Sequence, residues 1–189
     1  MSEQDRAHFN FEGVARERFA FLNELGFSEI EALQTLIRYR KVDVEVDVYH
    51  GRRSYEIGAD ISYLGIHYEM ESIIRAVDPE AAKRYRHAQS STAEGVVAGL
   101  EKLSLLMQRY GAAALRGDPQ FFSTLAEKRK VWMADYWCDL RAQQVRPQAN
   151  QAFHRGDYSK AADLYAQIRD RLRPSEMKKL QIAEERSKR

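Results

Sequence analysis

The sequence contains little cysteine and no long apolar run. Cys138 is the single cysteine, so an internal disulfide is excluded and a reducing cytoplasm is the expected compartment. No apolar stretch approaches the roughly 20 residues that a membrane helix needs. The first residues, MSEQDRAHFNFEG, lack the basic and then apolar order of a signal peptide. We therefore expect a cytoplasmic protein that has no membrane partner.

The sequence also lacks the short motifs of nucleotide, metal and nucleophile chemistry. GxGxxG, GxSxG, HExxH and the P-loop pattern do not occur in it. The five histidines have no metal-ligand spacing. Cys138 lies in a helical pattern, where a thiol is more often a packed residue than a nucleophile. We expect no catalytic residue, no metal site and no cofactor.

The formal net charge of +2 conceals a division between the two halves of the sequence. Residues 1–80 hold nine Lys and Arg against sixteen Asp and Glu, whereas residues 81–189 hold 21 against 12. Such an asymmetry indicates either attraction between the halves or a charged partner. The small net charge argues against a wholly basic nucleic-acid binder.

Hydrophobic periodicity predicts a helix near the start of the chain. Apolar residues recur every three or four positions from Phe11 to Leu25, as on one face of an amphipathic helix. Gly26 follows as a C-terminal cap. Ser28 and Glu31 have the spacing of a capping box and predict a further helical turn.

A three-stranded antiparallel meander is predicted after this helix. The strands are expected at 35–41, 42–50 and 53–64. The second alternates strictly, with its valines, including Val42, on one face and its carboxylates on the other. Gly51 suits the hairpin between the second and third strands. The preceding helix is the natural cover for the packed face, because three strands alone are not stable.

The residues from Tyr68 onward predict helices. Ser91 with Glu94 resembles a capping box, and Asp118–Pro119 is typical of a helix start. The helix that begins there is long, and Arg146–Pro147 is expected to break it or to begin a new one.

A short motif occurs after this proline. Residues 148–172 contain Ala152, Gly156-Asp157-Tyr158, Ala161, Leu164 and Tyr165 in that order. The stretch resembles part of a tetratricopeptide repeat (TPR), in which small residues permit close contact between two helices. The resemblance occurs once, which implies one TPR-like helical hairpin and not a repeat array. More loosely, the whole chain resembles an uncharacterised family of small bacterial proteins, which implies no activity.

The expected fold class is α+β. An N-terminal helix covers the three-stranded antiparallel meander, and a mostly α-helical bundle follows and ends in the TPR-like hairpin. We divide the chain into the helix plus meander at 1–66, the helical part of the same compact domain at 67–146, and the hairpin with a closing helix at 147–189.

A ladder of carboxylates is the sharpest candidate site. Alternation places Asp43, Glu45 and Asp47 on one strand face at intervals of about 6.6 Å. Glu56 and Asp60 lie on the neighbouring strand. The default interpretation is a solvated face with cross-strand ion pairs. The alternatives are a metal site and an acidic docking surface for a basic protein.

An aromatic-rich stretch on the long helix has two interpretations. We expect Trp132, Tyr136 and Trp137, with Phe121 and Phe122, to form core where this helix meets the sheet and the C-terminal hairpin. The two tryptophans are five residues apart and do not share the centre of one face. One of them is therefore a candidate surface anchor for a partner.

We interpret the sequence as a non-catalytic protein-interaction domain of a bacterial cytoplasm. An adaptor, or an immunity protein that neutralises a basic toxin or enzyme, is the concrete form of this hypothesis. The partner is expected to bind the acidic sheet face or the helical groove beside Tyr158 and Tyr165.

Two alternatives from other classes stay open. One is a small enzyme that uses His50, Tyr55 and Glu56 near the hairpin. The other is a nucleic-acid-associated protein that uses the basic half, although the glutamates within its last helix argue against it. The sequence does not determine the oligomeric state.

Overall fold

The computed structural model describes residues 3–187, and the side chains of residues 6–187. The fold class is α+β, as predicted, with antiparallel strands and several helices. The chain divides into two compact units between Lys128 and Arg129. This division lies inside a long helix, whereas we expected the C-terminal part to begin at residue 147.

The first unit holds the sheet and most of the helices. After a 3-10 helix at Glu3–Phe9, its elements are α1 (Phe11–Arg18), α2 (Phe21–Glu24), β1 (Ser28–Leu33), β2 (Leu36–Lys41), β3 (Val44–His50), β4 (Glu56–Tyr63), β5 (Ile66–Glu69), α3 (Met70–Val77), α4 (Pro79–Arg84), β6 (Ala88–Gln89), α5 (Ala93–Tyr110), α6 (Ala112–Leu115) and the start of α7 (Pro119–His154).

The strands form one antiparallel sheet in the order β1-β2-β3-β4-β5. β5 and β6 share the outer edge of β4, because β5 pairs with Asp60–Tyr63 and β6 with Glu56–Ile57. The meander is therefore longer than the three strands that we expected. Sequence analysis does not predict β1 and β5, because it places a helical turn at Ser28 and Glu31 and helices from Tyr68 onward.

The packed face of the sheet follows the predicted alternation. Val44, Val46 and Val48 are buried, and the residues between them are partly exposed. Helices α1 and α5 cover this face. Gly99 of α5 lies so close to Ile57 that a Cβ at this position would be 2.4 Å from the Ile57 side chain. The sheet thus packs against α5 through a small residue.

Val42 does not belong to the packed face, contrary to our expectation. It lies in the turn between β2 and β3, with a φ of 51° and 83% of its surface exposed. The corresponding turn between β4 and β5 contains Leu64 and Gly65, both at positive φ. Leu64 is 65% exposed. Both turns place apolar side chains in solvent with backbone conformations that such residues rarely adopt.

β1 forms a free edge of the sheet, and it is irregular. Its register with β2 shifts between Glu29 and Glu31, which leaves Ile30 as the extra residue of a bulge. Two guanidinium groups hold the flanking carboxylates: Arg16 donates two hydrogen bonds of 2.9 Å to Glu29, and Arg38 donates one of 2.7 Å to Glu31. The predicted helical turn at this point is wrong, because pairing with β2 draws the segment into the sheet.

The helix predicted from Phe11 to Leu25 is interrupted. Phe19 ends α1 in a non-helical conformation, and its side chain is fully buried. Gly26 adopts positive φ as expected, and the N–H groups of Gly26 and Phe27 bond to the carbonyls of Asn23 and Leu22. This is the Schellman arrangement.

Two other predicted helix starts have different outcomes. The N-cap of α5 is Thr92 and not Ser91, since the Thr92 hydroxyl accepts from the Gly95 N–H at 3.2 Å. Asp118 does cap α7, where its carboxylate accepts from the N–H of Gln120 at 2.9 Å.

The second unit is a small helical assembly. It comprises the C-terminal part of α7, α8 (Tyr158–Ala166), a 3-10 turn (Arg169–Arg171) and α9 (Pro174–Arg186). Gly156 at positive φ ends α7, and the Asp157 carboxylate caps α8 by accepting from the Lys160 N–H at 3.2 Å. Its buried core consists of small residues around one tyrosine and one leucine: Ala149, Ala152, Ala161, Tyr165, Leu180 and Ala183.

α7 continues through Pro147, so the predicted break at Arg146–Pro147 is wrong. An interior proline removes a hydrogen bond and costs about 3 kcal/mol. The helix is tied to the rest of the second unit at this point, because Arg146 pairs with the buried Glu176 at 2.9 Å and donates to the carbonyl of Arg171 at 2.7 Å.

Candidate functional site

The open face of the sheet carries the charged residues, and their distribution is uneven. One row of directly paired residues runs across β2, β3, β4 and β5 and consists of Arg38, Asp47, Asp60 and Glu69. One cation therefore stands beside three carboxylates in consecutive strands. Like charges directly opposite each other in a sheet are destabilising.

The arginines of β2 neutralise the predicted ladder. Arg38 binds Asp47 through two hydrogen bonds of 2.7 and 2.9 Å, and Arg40 contacts Glu45 at 2.6 Å. Asp43 lies in the turn before β3 and is exposed, so it does not continue the ladder. The default interpretation, a face with cross-strand ion pairs, therefore describes Glu45 and Asp47 well.

More carboxylates lie farther along the face, on β4, on β5 and at the start of α3. We define the acidic patch as Asp47, Glu56, Asp60, Glu69 and Glu71. Sequence analysis named the first three and missed Glu69 and Glu71. Glu69 was missed because β5 was not predicted, and it is the pairing of β5 with β4 that places Glu69 directly across from Asp60.

Asp60 is the most perturbed group of the acidic patch. Burial, followed by the charges of Glu69 and Asp47, raises the pKa of its carboxyl from 3.8 to about 6. Its Oδ1 atom is buried and accepts no hydrogen bond from the described residues. A partly buried carboxylate among other carboxylates reduces stability unless a cation reaches it.

Two tyrosines lie among these carboxylates. Burial raises the pKa of Tyr85 to about 12, with further contributions from Glu71 and Glu56. The pKa of Tyr49 is also raised, first by burial and then by the charge of Asp60. The Tyr49 ring covers Gly58, where an added Cβ would be 2.4 Å from it. The patch thus combines carboxylates with protonated phenols and aromatic faces.

His87 borders the acidic patch. Its Nδ1 is 3.0 Å from the Glu56 carboxylate, and its Nε2 is 3.8 Å from Glu71. Within the described part of the chain, no group of three or more His, Cys, Asp or Glu side chains is arranged to hold a metal ion. The patch is suited instead to a positively charged organic group, which hydrogen-bonds to carboxylates and lies against aromatic rings.

The three residues of the enzyme alternative do not come together. His50 is 1% exposed, and its Nε2 lies 2.9 Å from the carbonyl of Ser90. Burial lowers its pKa. The centroids of the Tyr55 and His50 rings are 6.0 Å apart, whereas Glu56 precedes Ile57 on β4 and so lies on the opposite face of the sheet from His50.

The two tyrosines of the helical hairpin have different positions. Tyr165 is fully buried and donates to Asn150 at 2.9 Å, so it is a core residue and unavailable to a partner. This corrects its place among the candidate partner-binding residues. Tyr158 is half-buried, and the guanidinium of Arg186 lies over its ring at 5.0 Å.

The aromatic stretch of α7 is not core, contrary to our expectation. Tyr136 and Trp137 are each 57% exposed, and Cys138 is exposed. Trp132 is partly buried, and Phe122 alone among the five aromatics is fully buried.

Neither the helices nor the similarity of this chain to other proteins assigns it to a known class. Among the described residues, no helix combines the length and the apolar character that crossing a membrane requires. Comparison of the chain with protein-family models, with curated proteins and with solved structures finds no match.

Proposed function

We propose that this chain is a non-catalytic protein-interaction domain that binds a basic segment of a partner through the acidic patch. The single observation that carries the proposal is Asp60. Its carboxylate is partly buried beside Glu69 and Asp47, and its Oδ1 atom accepts no hydrogen bond from the described residues. A lysine or arginine of the partner supplies the missing cation, so binding relieves a cost that the free protein bears.

The finer form of the proposal is a masking role. An adaptor or an immunity protein that covers a basic toxin or enzyme needs a carboxylate-rich surface on a stable scaffold. The sheet supplies that scaffold, because β3 and β4 are paired along their whole length above a buried core. The TPR-like hairpin is a further element of the proposal, since such hairpins are common in interaction domains, but it identifies no partner.

The test is affinity capture with charge-matched variants. The double variant Asp60→Asn and Glu69→Gln removes two charges from the acidic patch, and the control, Glu17→Gln and Glu24→Gln, removes two from exposed positions near the N-terminus. We expect the wild type and the control to capture the same basic protein, and the patch variant to bind it at least about tenfold more weakly.

The patch variant is suited to this test because it is expected to be at least as stable as the wild type. Loss of binding is then not a consequence of unfolding, and circular dichroism checks this directly. Equal capture by the patch variant and the control would show that the acidic patch is not the binding surface. Binding of the purified partner should also weaken as salt is added, because opposite charges attract less in a screening solvent.

A further inference from the structure

His50, the last residue of β3, is a buried titratable group that the proposed partner does not contact. It is 1% exposed. Its Nε2 atom lies 2.9 Å from the Ser90 carbonyl, which only accepts hydrogen bonds, so Nε2 carries the proton of the neutral imidazole. Nδ1 is buried and has no hydrogen-bond partner among the described residues. A second proton on this ring would therefore enter a site that offers it no acceptor.

Aromatic rings and one cation surround the imidazole. Phe9 of the N-terminal 3-10 helix lies edge to face with it at 5.1 Å, and Phe11 of α1 is stacked on it with 6.2 Å between centroids. Tyr55 approaches from the turn before β4 at 6.0 Å. The guanidinium of Arg6, on the 3-10 helix, donates to the main-chain carbonyl of His50 at 3.3 Å. Apolar surroundings and a neighbouring positive charge both disfavour the imidazolium.

The 3-10 helix Glu3–Phe9 is attached to the first unit through Phe9 and Arg6. Phe9 is 2% exposed. Arg6 is 6% exposed, and it donates to the three consecutive main-chain carbonyls of residues 50–52. β3 and β4, in contrast, are held to each other by a ladder of main-chain hydrogen bonds. The 3-10 helix is therefore an element beside His50 that can leave without breaking the sheet.

A hinge separates this 3-10 helix from α1. Asn10 lies between them with a φ of 47° and a ψ of 36°, a left-handed conformation that asparagine adopts more readily than most residues. Asn10 is the N-cap residue of α1, but its side chain makes no capping hydrogen bond. A rotation at Asn10 therefore moves the 3-10 helix away from His50 while α1 stays in place.

We propose that the 3-10 helix Glu3–Phe9 is a pH-sensitive latch, which closes over neutral His50 and opens when the imidazole is protonated. In the closed state the neutral ring packs against Phe9 and Phe11. In the open state water solvates Nδ1, and the charge of Arg6 leaves with the latch. Opening exposes the end of the sheet at the turn between β3 and β4. The inference does not depend on the acidic patch, which lies on the other face of the sheet.

The direction of the effect follows from the pKa of His50. Burial lowers this pKa below the ordinary value of 6.5, the hydrogen bond to the Ser90 carbonyl opposes the shift, and the charge of Arg6 adds to it. The closed state thus binds fewer protons than the open state, so the open state gains as the pH falls below 6.5. At pH 5 the gain is at most about 30-fold, because an exposed imidazole keeps its ordinary pKa.

Hydrogen exchange of the full chain, followed by mass spectrometry, measures the opening. Peptides that cover residues 3–10 report on the latch, and peptides from β3 and β4 report on the sheet. Observed rates are divided by the intrinsic exchange rate at each pH, which gives protection factors. Between about pH 8 and pH 5 the protection factor of the latch should fall severalfold, with about 30-fold as the upper limit, while that of the sheet stays constant.

Substitutions identify the group that titrates. His50→Gln keeps a donor for the Ser90 carbonyl but binds no proton in this range, so its latch should be equally protected at both pH values. The matched control is His8→Gln, because His8 is exposed on the same 3-10 helix, where its ring contacts Phe9; the fall in protection should persist. Phe9→Ala removes a buried anchor, so its latch should be unprotected at both pH values above a protected sheet.

A measurement on the wild type covers the case in which His50→Gln does not fold. The NMR signal of the His50 Cε1 proton follows the protonation of the ring directly. It should titrate below pH 6.5, because the closed latch holds the ring neutral. Titration at 6.5 or above would contradict the proposal.

Three results of the exchange experiment would overturn the proposal. The first is protection of residues 3–10 that does not change with pH in the wild type. The second is an equal fall in His50→Gln, or the loss of the fall in His8→Gln, since either would assign the titration to another group. The third is an equal loss of protection in the latch and in β3 and β4, which would show that protonation unfolds the first unit as a whole.

Discussion

Replacing Asp60 with Asn is expected to stabilise the first unit at neutral pH. The folded state holds the Asp60 proton more tightly than the unfolded chain, because the pKa of this carboxyl rises from 3.8 to about 6 on folding. Raising the pH through this interval ionises the group first in the unfolded chain and only later in the folded state. Stability therefore falls as the pH rises from 3.8 to about 6.

The size of the effect follows from the same interval. At about 1.4 kcal/mol per pH unit, the full cost of ionised Asp60 is about 3 kcal/mol. Part of the side chain remains in contact with solvent, which screens the repulsion from Glu69 and Asp47, so about 1–2 kcal/mol is the expected gain for Asp60→Asn at neutral pH. Asparagine keeps the shape of the side chain and can donate to the neighbouring carboxylates.

Urea denaturation followed by circular dichroism measures this gain as a function of pH. The difference between variant and wild type should be largest near pH 7 and should vanish below pH 3.8, while other titrating groups cancel in the comparison. Asp43→Asn, at an exposed turn, is the control and should change the free energy of unfolding by less than about 0.5 kcal/mol. A difference that does not vary with pH, or a destabilised variant, would refute the electrostatic argument.

Two further substitutions test the turns and the second unit. Leu64→Asn should raise the free energy of unfolding by about 1 kcal/mol in thermal melts, because Asn is favoured where Leu64 and Gly65 form a turn with positive φ; a lower melting temperature would contradict this. Glu176→Ala should cost about 3 kcal/mol, since it leaves Arg146 without the carboxylate of a buried ion pair, whereas Glu184→Ala at an exposed pair should cost less than about 1 kcal/mol. Urea unfolding monitored by tryptophan fluorescence measures both variants, because both tryptophans belong to the second unit. Equal losses of stability for Glu176→Ala and Glu184→Ala would show that the Arg146–Glu176 pair is no more important than an exposed ion pair.

Sequence periodicity predicted those elements whose burial alternates regularly. Val44, Val46 and Val48 identified β3 because one face of this strand is packed and the other is open. β1 was missed for the opposite reason: its six residues, Ser28 to Leu33, show no alternation of buried and open positions, because all of them are exposed or half-buried. Its structure comes from pairing with β2, which is a tertiary effect.

The candidate site was predicted only in part, because it depends on which strands and which side chains pair with each other. Asp60 was named from sequence, but its raised pKa depends first on burial and then on the charges of Glu69 and Asp47 on the two neighbouring strands. Sequence cannot show which carboxylate has an arginine beside it, and here Arg38 selects Asp47. The spacing of the two tryptophans predicted that one of them lies at the surface, but it could not show that this residue is Trp137.

The bulge in β1 has a consequence for association between molecules. An edge strand presents unpaired N–H and C=O groups on which a strand of a neighbouring molecule could add. In β1 the extra residue, Ile30, interrupts the even spacing of those groups. A second β1 that approached this edge would meet the same irregular spacing, so this edge of the sheet resists growth into a fibre.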